Sequence, residues 1–538
     1  MKKLLLPTKL LLLLFTFIVL FESCSSTVAL LNPPIKSTDF KALKSVDLTK
    51  DERLTWSHLD LVQDSVPGVS LNRAYDELVK TESKTIVVAV IDSGIDITHE
   101  DLEGNIWVNE DEIPNNGIDD DKNGYVDDIN GWNFLGDSTN EQLEYVRLIA
   151  SNDTSDPRFE EAKKLLENEL NKYTASKNQY ENISASLKAA NSEVLNFLKV
   201  DSYSKEDILS INTEDEKISQ SLEVLKQAFN FGVDSIPELI DELDDYIKSL
   251  SDRLNYYLNV EFDGRSVVGD DPNDLNDRNY GDNNVMPKKG SSHGTHVSGI
   301  IAAVRNNGLG VNGAANNVKI MAIRNTPNGD EYDKDVALGV YYAVNNGANI
   351  INMSFGKSFS PHSGWVRDAL AYAAKKNVLI VAAAGNDADN TDLVQYYPND
   401  QLGTGNEVSD TFIKVGSSTY NFNSKLPSSF SNYGQSSVDV FAPGSAIYST
   451  YPKNEYEYAQ GTSMASPLVA GVAALVWSQY PKLRAAEVKQ IIMSSGLSLN
   501  LDVDAGDEKN IPFTEISKSG KLINAYNALI MASNISSK

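Results

Sequence analysis

Short runs of apolar, mostly β-branched residues recur along the chain and predict buried strands of a parallel sheet. These runs occupy residues 85–91, 318–323, 350–353 and 378–383. Stretches with helical periodicity lie between them, for example at residues 336–345 and 366–375. Alternation of strands with helices is typical of an α/β domain, so we expect three layers around a mostly parallel central sheet.

Residues 141–260 have a different pattern, in which apolar residues are spaced for one face of a long helix. Two sets recur every seven residues, namely Tyr173, Tyr180, Leu187 and Val194, and Ile183, Ala190 and Phe197. A third set steps by four and three residues: Ile236, Ile240, Leu243, Ile247, Leu250, Leu254 and Tyr257. Such spacing is typical of packed amphipathic helices and predicts an inserted helical hairpin or small bundle.

This insert is acidic, with 24 acidic against 13 basic residues and the single glycine Gly232. Three roles are open for it: a solvated decoration, an element that docks a protein partner or restricts the substrate, or a regulatory element. The predicted organisation is a leader at residues 1–24, a lead-in at 25–80, a main domain at 81–140 and 261–538, and the insert at 141–260.

The first 24 residues have the layout of a secretory signal. Lysines at positions 2, 3 and 9 precede an apolar run at residues 10–21, and small residues follow around Cys24. This run is shorter than the roughly 20 residues that cross a bilayer. Residues 20–24 resemble the lipobox of bacterial lipoproteins, which implies lipidation of Cys24 and a membrane-anchored protein of the cell envelope. Cleavage with release into the medium is the alternative.

Composition excludes some classes of partner and of stabilisation. The chain has 75 acidic and 47 basic residues, for a formal net charge of −28, whereas nucleic-acid binding requires a basic face. Hydrophobic residues make up 41% of the chain, which is ordinary for a globular protein. The single cysteine cannot form an internal disulfide, so bound calcium is a natural alternative stabiliser.

Four short motifs carry residues suited to catalysis. Residues 90–94 read Val-Ile-Asp-Ser-Gly at the end of a predicted strand, and residues 293–299 read His-Gly-Thr-His-Val-Ser-Gly at a predicted helix start. Residues 384–386 read Ala-Gly-Asn, and residues 461–467 read Gly-Thr-Ser-Met-Ala-Ser-Pro. His296 follows the first histidine by three positions, but no glutamate completes a zinc-binding motif, so we expect it to pack in the core.

These motifs supply one residue for each role in amide hydrolysis by a serine. Ser463 would attack the carbonyl carbon, and His293 would take and later return the proton. Asp92 would orient the imidazole and stabilise its charged form. Asn386 would donate a hydrogen bond to the oxyanion together with the backbone N–H of Ser463.

Together, and in the chain order Asp92, His293, Ser463, the motifs resemble the subtilisin-like serine proteases. The resemblance covers roughly residues 85–140 and 285–495 and does not include the insert. It implies a subtilisin-like fold and a serine endopeptidase that acts on proteins or peptides. By the same resemblance, Ser354, Phe355 and Gly356 would pair with an extended peptide. Ala384 and Gly385 would line the primary pocket, where small residues suggest room for a sizeable apolar side chain.

Oxygen donors at alternate positions of residues 119–127 resemble part of a calcium-binding loop. The ligands would be Asp119, Asp121, Asn123, the carbonyl of Tyr125, and Asp127. Position twelve is Asn130 instead of glutamate, so the loop is not a full EF-hand. A second calcium site is implied by the family resemblance, at Asp101 and the loop 304–311 with Asn306.

Two other functions are compatible with these motifs. One is a non-catalytic binding module that keeps the fold as a scaffold and uses the insert to hold a partner. The other is a specialised processing protease, or one that cleaves and macrocyclises peptides.

Overall fold

The structure is a computed structural model that describes residues 34–36, 47–288, 290–402 and 406–537. Its strands are β1 (Ile86–Asp92), β2 (Gly131–Asn133), β3 (Val318–Arg324), β4 (Ile350–Met353), β5 (Leu379–Ala383), β6 (Gln401–Leu402), β7 (Asn406–Glu407), β8 (Phe412–Ser418), β9 (Val440–Pro443), β10 (Ile447–Tyr451), β11 (Glu455–Ala459), β12 (Leu497–Ser498), β13 (Asp502–Ala505), β14 (Glu508–Pro512) and β15 (Lys521–Leu522). Its α-helices are α1 (Lys50–Thr55), α2 (Leu71–Glu77), α3 (Glu144–Ser151), α4 (Phe159–Leu198), α5 (Lys205–Ser210), α6 (Glu216–Asn230), α7 (Ile236–Asp252), α8 (Ser292–Ala302), α9 (Asp333–Asn345), α10 (Ser363–Lys375), α11 (Thr462–Gln479), α12 (Ala485–Ser495) and α13 (Ala525–Ser536). Short 3₁₀ turns lie at Trp56–His58, Glu100–Leu102 and Phe513–Glu515, and a π-helical turn lies at Arg253–Tyr257.

A nine-stranded sheet organises the protein in the order β12-β15-β9-β8-β5-β4-β1-β3-β2. Every pairing in it is parallel except that of β12 with β15, which is antiparallel. The order brings β4 and β3 to the two sides of β1. The carboxyl ends of these three strands therefore meet at one edge, where open α/β sheets bind their ligands.

The sheet is covered on both faces, as the continuous apolar runs predict. Along β1, Val88 and Val90 contribute to one buried cluster, while Ala89 and Ile91 contribute to another. The first cluster includes residues of α8, α11 and α12, and the second includes residues of α9 and α10. Since successive side chains of a strand point to opposite faces, the two clusters are the two cores of a three-layer protein. The predicted fold class is confirmed.

Helices α3 to α7 follow β2 in the chain, where the insert is predicted. Helix α4 spans 40 residues and packs against α6 and α7 around a core that includes Leu187, Ala190 and Val194. Two residues of the expected heptads, Ile183 and Phe197, are instead exposed. This difference arises because α6 and α7 cover only one stripe of the long helix, so some heptad positions face water.

The described part of the lead-in packs into the main core. The Trp56 side chain is 1% exposed, and its indole N–H donates to the carbonyl groups of Ser445 and Ala446. Leu61 and Val69 are equally buried in the same cluster as the strands of the sheet. Trp56, Leu61 and Val69 thus anchor this segment to the main core.

Among the described residues, none of the helices combines the length and apolar character needed to cross a membrane. The predicted leader at residues 1–24, with Cys24, lies outside the described residues.

Candidate active site

Asp92 is the last residue of β1 and lies at the carboxyl edge of the sheet. Its side chain is 1% exposed. The two carboxylate oxygens lie 2.8 and 3.0 Å from Nδ1 of His293, and one of them also accepts a hydrogen bond from the backbone N–H of Ser93. This geometry places a proton on Nδ1 of the imidazole, which leaves Nε2 as the acceptor.

His293 is the second residue of α8, and a glycine after it allows this helix to approach β1. A Cβ at Gly294 would lie 2.2 Å from the carbonyl oxygen of Gly94 and 3.2 Å from the Cβ of Asp92. Burial acts to lower the pKa of His293, but the charge of Asp92 and the hydrogen bond to it outweigh burial and raise the pKa above its usual value. The imidazole is consequently a stronger base than an isolated histidine.

His296 lies one turn further along α8 and differs from His293 in its burial, its hydrogen-bond partners and its pKa. It is 2% exposed, and its Nε2 lies 3.1 Å from the carbonyl oxygens of Ile447 and Glu457. Burial lowers the pKa of His296 to about 4. It is a neutral packing residue between α8 and the β10–β11 hairpin.

Ser463 is the second residue of α11, and its hydroxyl donates to the carbonyl oxygen of Ser354 at 3.0 Å. In return, the hydroxyl of Ser354 donates to the carbonyl oxygen of Ser463 at 2.9 Å. That carbonyl needs a side-chain donor because Pro467, four residues later, has no N–H to complete the helical hydrogen bond. The sequence motif therefore creates a backbone acceptor that Ser354 satisfies.

Among the described residues, the Ser463 hydroxyl donates its hydrogen bond to the carbonyl oxygen of Ser354 and makes none with His293. In the absence of substrate, catalytic hydrogen bonds are often long or misaligned and form fully in the substrate complex. Contact of the hydroxyl with the imidazole therefore stays a prediction.

Asn386 is exposed just beyond β5, and its orientation is determined by Thr462. Its Oδ1 accepts hydrogen bonds from the backbone N–H and the hydroxyl of Thr462 at 2.9 and 3.0 Å. A carboxamide bound through its oxygen presents its NH₂ group as a donor. Both Nδ2 of Asn386 and the backbone N of Ser463 lie 3.5 Å from the position that a Cβ of Gly461 would occupy. The two donors thus border one small space next to the nucleophile candidate.

The segments expected to bind substrate lie at the same edge. Ladder pairing of β4 with β5 ends at Met353, and an isolated bridge joins Lys357 to Tyr397. Between them, the Ser354 and Phe355 side chains are buried, while Gly356 is half-buried. Ala384 and Gly385 are both buried directly after β5.

The sequence motifs do not predict one further residue that lies at this edge. The aromatic ring of Tyr396 contacts Gly356 and Gly385 at the same time. Tyr396 belongs to no motif, and no periodicity predicts its position.

In the acidic loop, the structure gathers some of the predicted oxygen donors. Carboxylate oxygens of Asp119, Asp121 and Glu112 all lie within 4.8 Å of one another. Twice a calcium–oxygen distance of about 2.3–2.6 Å permits this spacing, and carboxylates suit this cation. Glu112 was missed because it lies seven positions before the loop, outside the motif.

Glu112, Asp119 and Asp121 also accept hydrogen bonds from backbone N–H groups of the loop, and the other predicted ligands make contacts within it as well. Asp127 accepts hydrogen bonds from the backbone N–H groups of Asn116 and Gly117. The Asn123 carboxamide donates to Asp121 and Asp128. The side chain of Tyr125 packs edge-on against the rings of Trp132, Phe134 and Tyr342. Asp127 and Asn123 therefore stabilise the loop itself.

At the second predicted calcium site, Asp101 is fully buried beneath the loop 304–311. Its carboxylate accepts hydrogen bonds from the side chain of Asn307 at 2.7 Å and from the backbone N–H of Val311 at 3.0 Å. Asn306 is exposed, and its backbone N–H donates to Asn312. The side chain of this loop that contacts Asp101 is that of Asn307, the neighbour of the predicted ligand Asn306.

Comparison with known proteins identifies the family of the chain. The sequence profile of the subtilase family (Peptidase_S8) matches residues 83–510, and the chain belongs to this family. It is 45% identical to thermitase of Thermoactinomyces vulgaris over 201 residues, which are 37% of this chain and 65% of thermitase. It is 38% identical to a thermophilic serine proteinase of Bacillus sp. (strain AK1) over 224 residues, 41% of this chain and 50% of that protein.

Subtilisin DY of Bacillus licheniformis is 38% identical over 217 residues, which are 39% of this chain and 72% of subtilisin DY. The chain thus spans less than two thirds of the first two relatives. The second of these relatives is named as a serine proteinase and the third as a subtilisin.

Proposed function

We propose that this protein is a serine endopeptidase in which Ser463 is the nucleophile, His293 the base, Asp92 its orienting carboxylate and Asn386 an oxyanion donor. The observation that carries the proposal is the contact of Asp92 with Nδ1 of His293 at the sheet edge where α11 presents Ser463. Membership of the subtilase family supports it.

Each group has a defined task in this reaction. Nε2 of His293 accepts the hydroxyl proton of Ser463 as the oxygen attacks the peptide carbonyl, and Asp92 stabilises the imidazolium that forms. Asn386 Nδ2 and the backbone N–H of Ser463 donate hydrogen bonds to the oxyanion. The imidazolium then protonates the leaving amine. Water hydrolyses the acyl-enzyme by the reverse sequence of proton transfers.

The substrate is a protein or peptide bound in extended form. Residues 354–356 lie beyond the last ladder pair of β4, so their backbone can pair with a peptide strand. Ala384 and Gly385 form the opposite wall of the pocket nearest Ser463.

The insert restricts the cleft by connecting its two sides. Lys357, directly after the substrate edge, donates from Nζ to the Glu144 carboxylate of α3 at 2.6 Å and to the carbonyl oxygen of Glu331 at 2.7 Å. Arg147 of the same helix donates to the carbonyl oxygen of Asp330 at 2.9 Å. The segments after β4 and β3 flank the end of β1, and α3 contacts both of them. This position beside the substrate edge supports substrate restriction as the role of α3.

Calcium is proposed as a structural cofactor bound by Glu112, Asp119 and Asp121. When bound, the cation neutralises mutual repulsion among these carboxylates and stabilises the loop. The oxygen spacing supports this set, with Asn123 and Asp127 ordering the loop around it.

Export and anchoring complete the proposal. The leader directs the chain to the cell envelope, and lipidation of Cys24 tethers it to a membrane. Intact mass and N-terminal sequence of the protein extracted from membranes test this, because a mature chain that starts after Cys24 contradicts anchoring.

Labelling with a serine-directed fluorophosphonate tests the activity. We expect wild type to be labelled and Ser463→Ala to remain unlabelled. Equal labelling of both, or no labelling of wild type, would leave the non-catalytic scaffold as the better account. The masses of products from a peptide substrate then distinguish hydrolysis from ring closure, which the macrocyclising alternative requires.

A further inference from the structure

Tyr396 lies between the two walls expected to form the primary pocket. A Cβ at Gly356 would be 2.5 Å from Cε1 of Tyr396, and a Cβ at Gly385 would be 2.6 Å from its Cζ. The same outer edge of one aromatic ring therefore touches both glycines. The absence of side chains at these two positions makes room for the ring, not for a substrate group.

A buried lysine binds the backbone on which the Tyr396 ring is carried. Lys414 of β8 is 3% exposed, and its Nζ donates to the carbonyl oxygens of Tyr396 and Pro398 at 2.9 and 2.8 Å. The Nζ atom also lies 5.2 Å from the centre of the Tyr396 ring.

The segment that carries Tyr396 also pairs with the substrate edge. The backbone N–H and carbonyl of Tyr397 pair with those of Lys357 at 2.9 and 3.0 Å. Since Lys357 is the residue after Gly356, these bonds connect the tyrosine segment directly to the substrate edge. These hydrogen bonds fix the backbone from which the Tyr396 ring projects.

We propose that Tyr396 is a specificity-determining residue that fills the primary pocket, so that the enzyme prefers peptides with a small side chain, such as alanine, immediately before the cleaved bond. This inference rests on the proposed function. It corrects the expectation of room for a sizeable apolar side chain, because that expectation considered the residues of the walls and not what lies between them. A rigid pocket discriminates by volume, and excess methylene groups cost about 10- to 200-fold in kcat/KM.

The test uses tetrapeptide p-nitroanilides that differ only in the last residue, which is alanine, phenylalanine or lysine. Lysine is included because Asp387 lies near the tyrosine and could favour a cation. Wild type should cleave the alanine substrate with the highest kcat/KM. Tyr396→Gly should raise the ratio of kcat/KM for phenylalanine over alanine by on the order of 10-fold or more. Tyr396→Phe keeps the ring and should retain the wild-type ratio.

Preference of the wild-type enzyme for phenylalanine or lysine would overturn the inference by itself. This measurement does not depend on whether Tyr396→Gly folds. An unchanged ratio in an active Tyr396→Gly enzyme would also overturn it. Fluorophosphonate labelling is read in parallel: absence of labelling in wild type contradicts the proposed function itself, whereas normal labelling with the wrong preference contradicts only the role of Tyr396.

Discussion

Ser354 and Ser463 exchange hydrogen bonds, each hydroxyl donating to the other's backbone carbonyl at 2.9 and 3.0 Å. The pair joins the end of β4 to the start of α11, so it fixes the substrate edge relative to the candidate nucleophile. Asn352 extends the connection, since its side chain donates to the Ser354 hydroxyl and accepts from Ser466.

Ser354→Ala should therefore destabilise the protein. It leaves the Ser463 carbonyl without its donor, and an unsatisfied buried polar group costs about 1–3 kcal/mol. Denaturant unfolding measures this loss in the free energy of unfolding. Ser436→Ala, at an exposed position, is the control and should change stability by less than about 0.5 kcal/mol. Equal effects of the two variants would show that the reciprocal pair contributes nothing specific.

Asn386→Ala should lower kcat by about 10²–10³ with little change in KM, because the donor acts on charge that develops in the transition state. The magnitude is the one known for the corresponding asparagine of a subtilisin. Asn386→Asp retains an oxygen for the Thr462 contact but removes the donor, so it should be at least as impaired. Steady-state kinetics on one peptide substrate checks both, and near-normal kcat in Asn386→Asp would contradict the role.

Activity should rise with pH through an apparent pKa above the usual histidine value of about 6.5. Only neutral His293 can accept the serine proton, and Asp92 makes the imidazole retain its own proton to higher pH. The same shift stabilises the fold below about pH 6.5, and this contribution is lost as pH rises through the folded-state pKa.

The pH dependence of kcat/KM measures this limb in wild type and Asp92→Asn. The variant should lose about 10⁴ in kcat, as known for another serine protease triad, and its limb should move to lower pH. A limb that does not move would show that Asp92 does not set the pKa of His293.

Lys357→Met should cost about 3–5 kcal/mol of stability, since it removes one partner from a buried ion network. Its Nζ lies 2.6 Å from the Glu144 carboxylate and 3.0 Å from that of Asp333, and its side chain is 1% exposed. The matched control is Lys188→Met within the insert, whose ion pair with Asp244 is half exposed. Exposed pairs contribute about 0–1 kcal/mol, so similar losses in denaturant unfolding would contradict the buried network.

Chelation should lower the melting temperature, and added calcium should raise it in a concentration-dependent way. Asp121→Asn together with Glu112→Gln should abolish this response. Asp127→Asn should lower stability while preserving the response, because Asp127 caps backbone N–H groups of the loop. An unchanged melting curve of wild type in excess chelator removes calcium from the account.

Much of the fold could be predicted from sequence because the signals are local. Continuous apolar runs indicated β1, β3, β4 and β5, and their ends differ from the observed strands by at most one residue. The candidate catalytic residues could be predicted because each lies at the end of a strand, just after one, or at the start of a helix.

Contacts between distant segments could not be predicted in this way. The side chain of Asn307, the neighbour of the predicted calcium ligand Asn306, contacts Asp101, and a motif alone does not determine which side chain of a loop turns inward. Glu112 joins the acidic loop through a fold-back that no spacing rule describes.

The sequence alone determined the three-layer arrangement around the sheet, the helical insert and the four catalytic candidates. Hydrophobic periodicity and motif chemistry depend on residues that are close together in the sequence. Only the tertiary structure decided that Tyr396 lies against both Gly356 and Gly385, and that α3 contacts Lys357 through Glu144. Such features depend on which side chains fill a shared space, and close packing settles that only once the whole chain has folded.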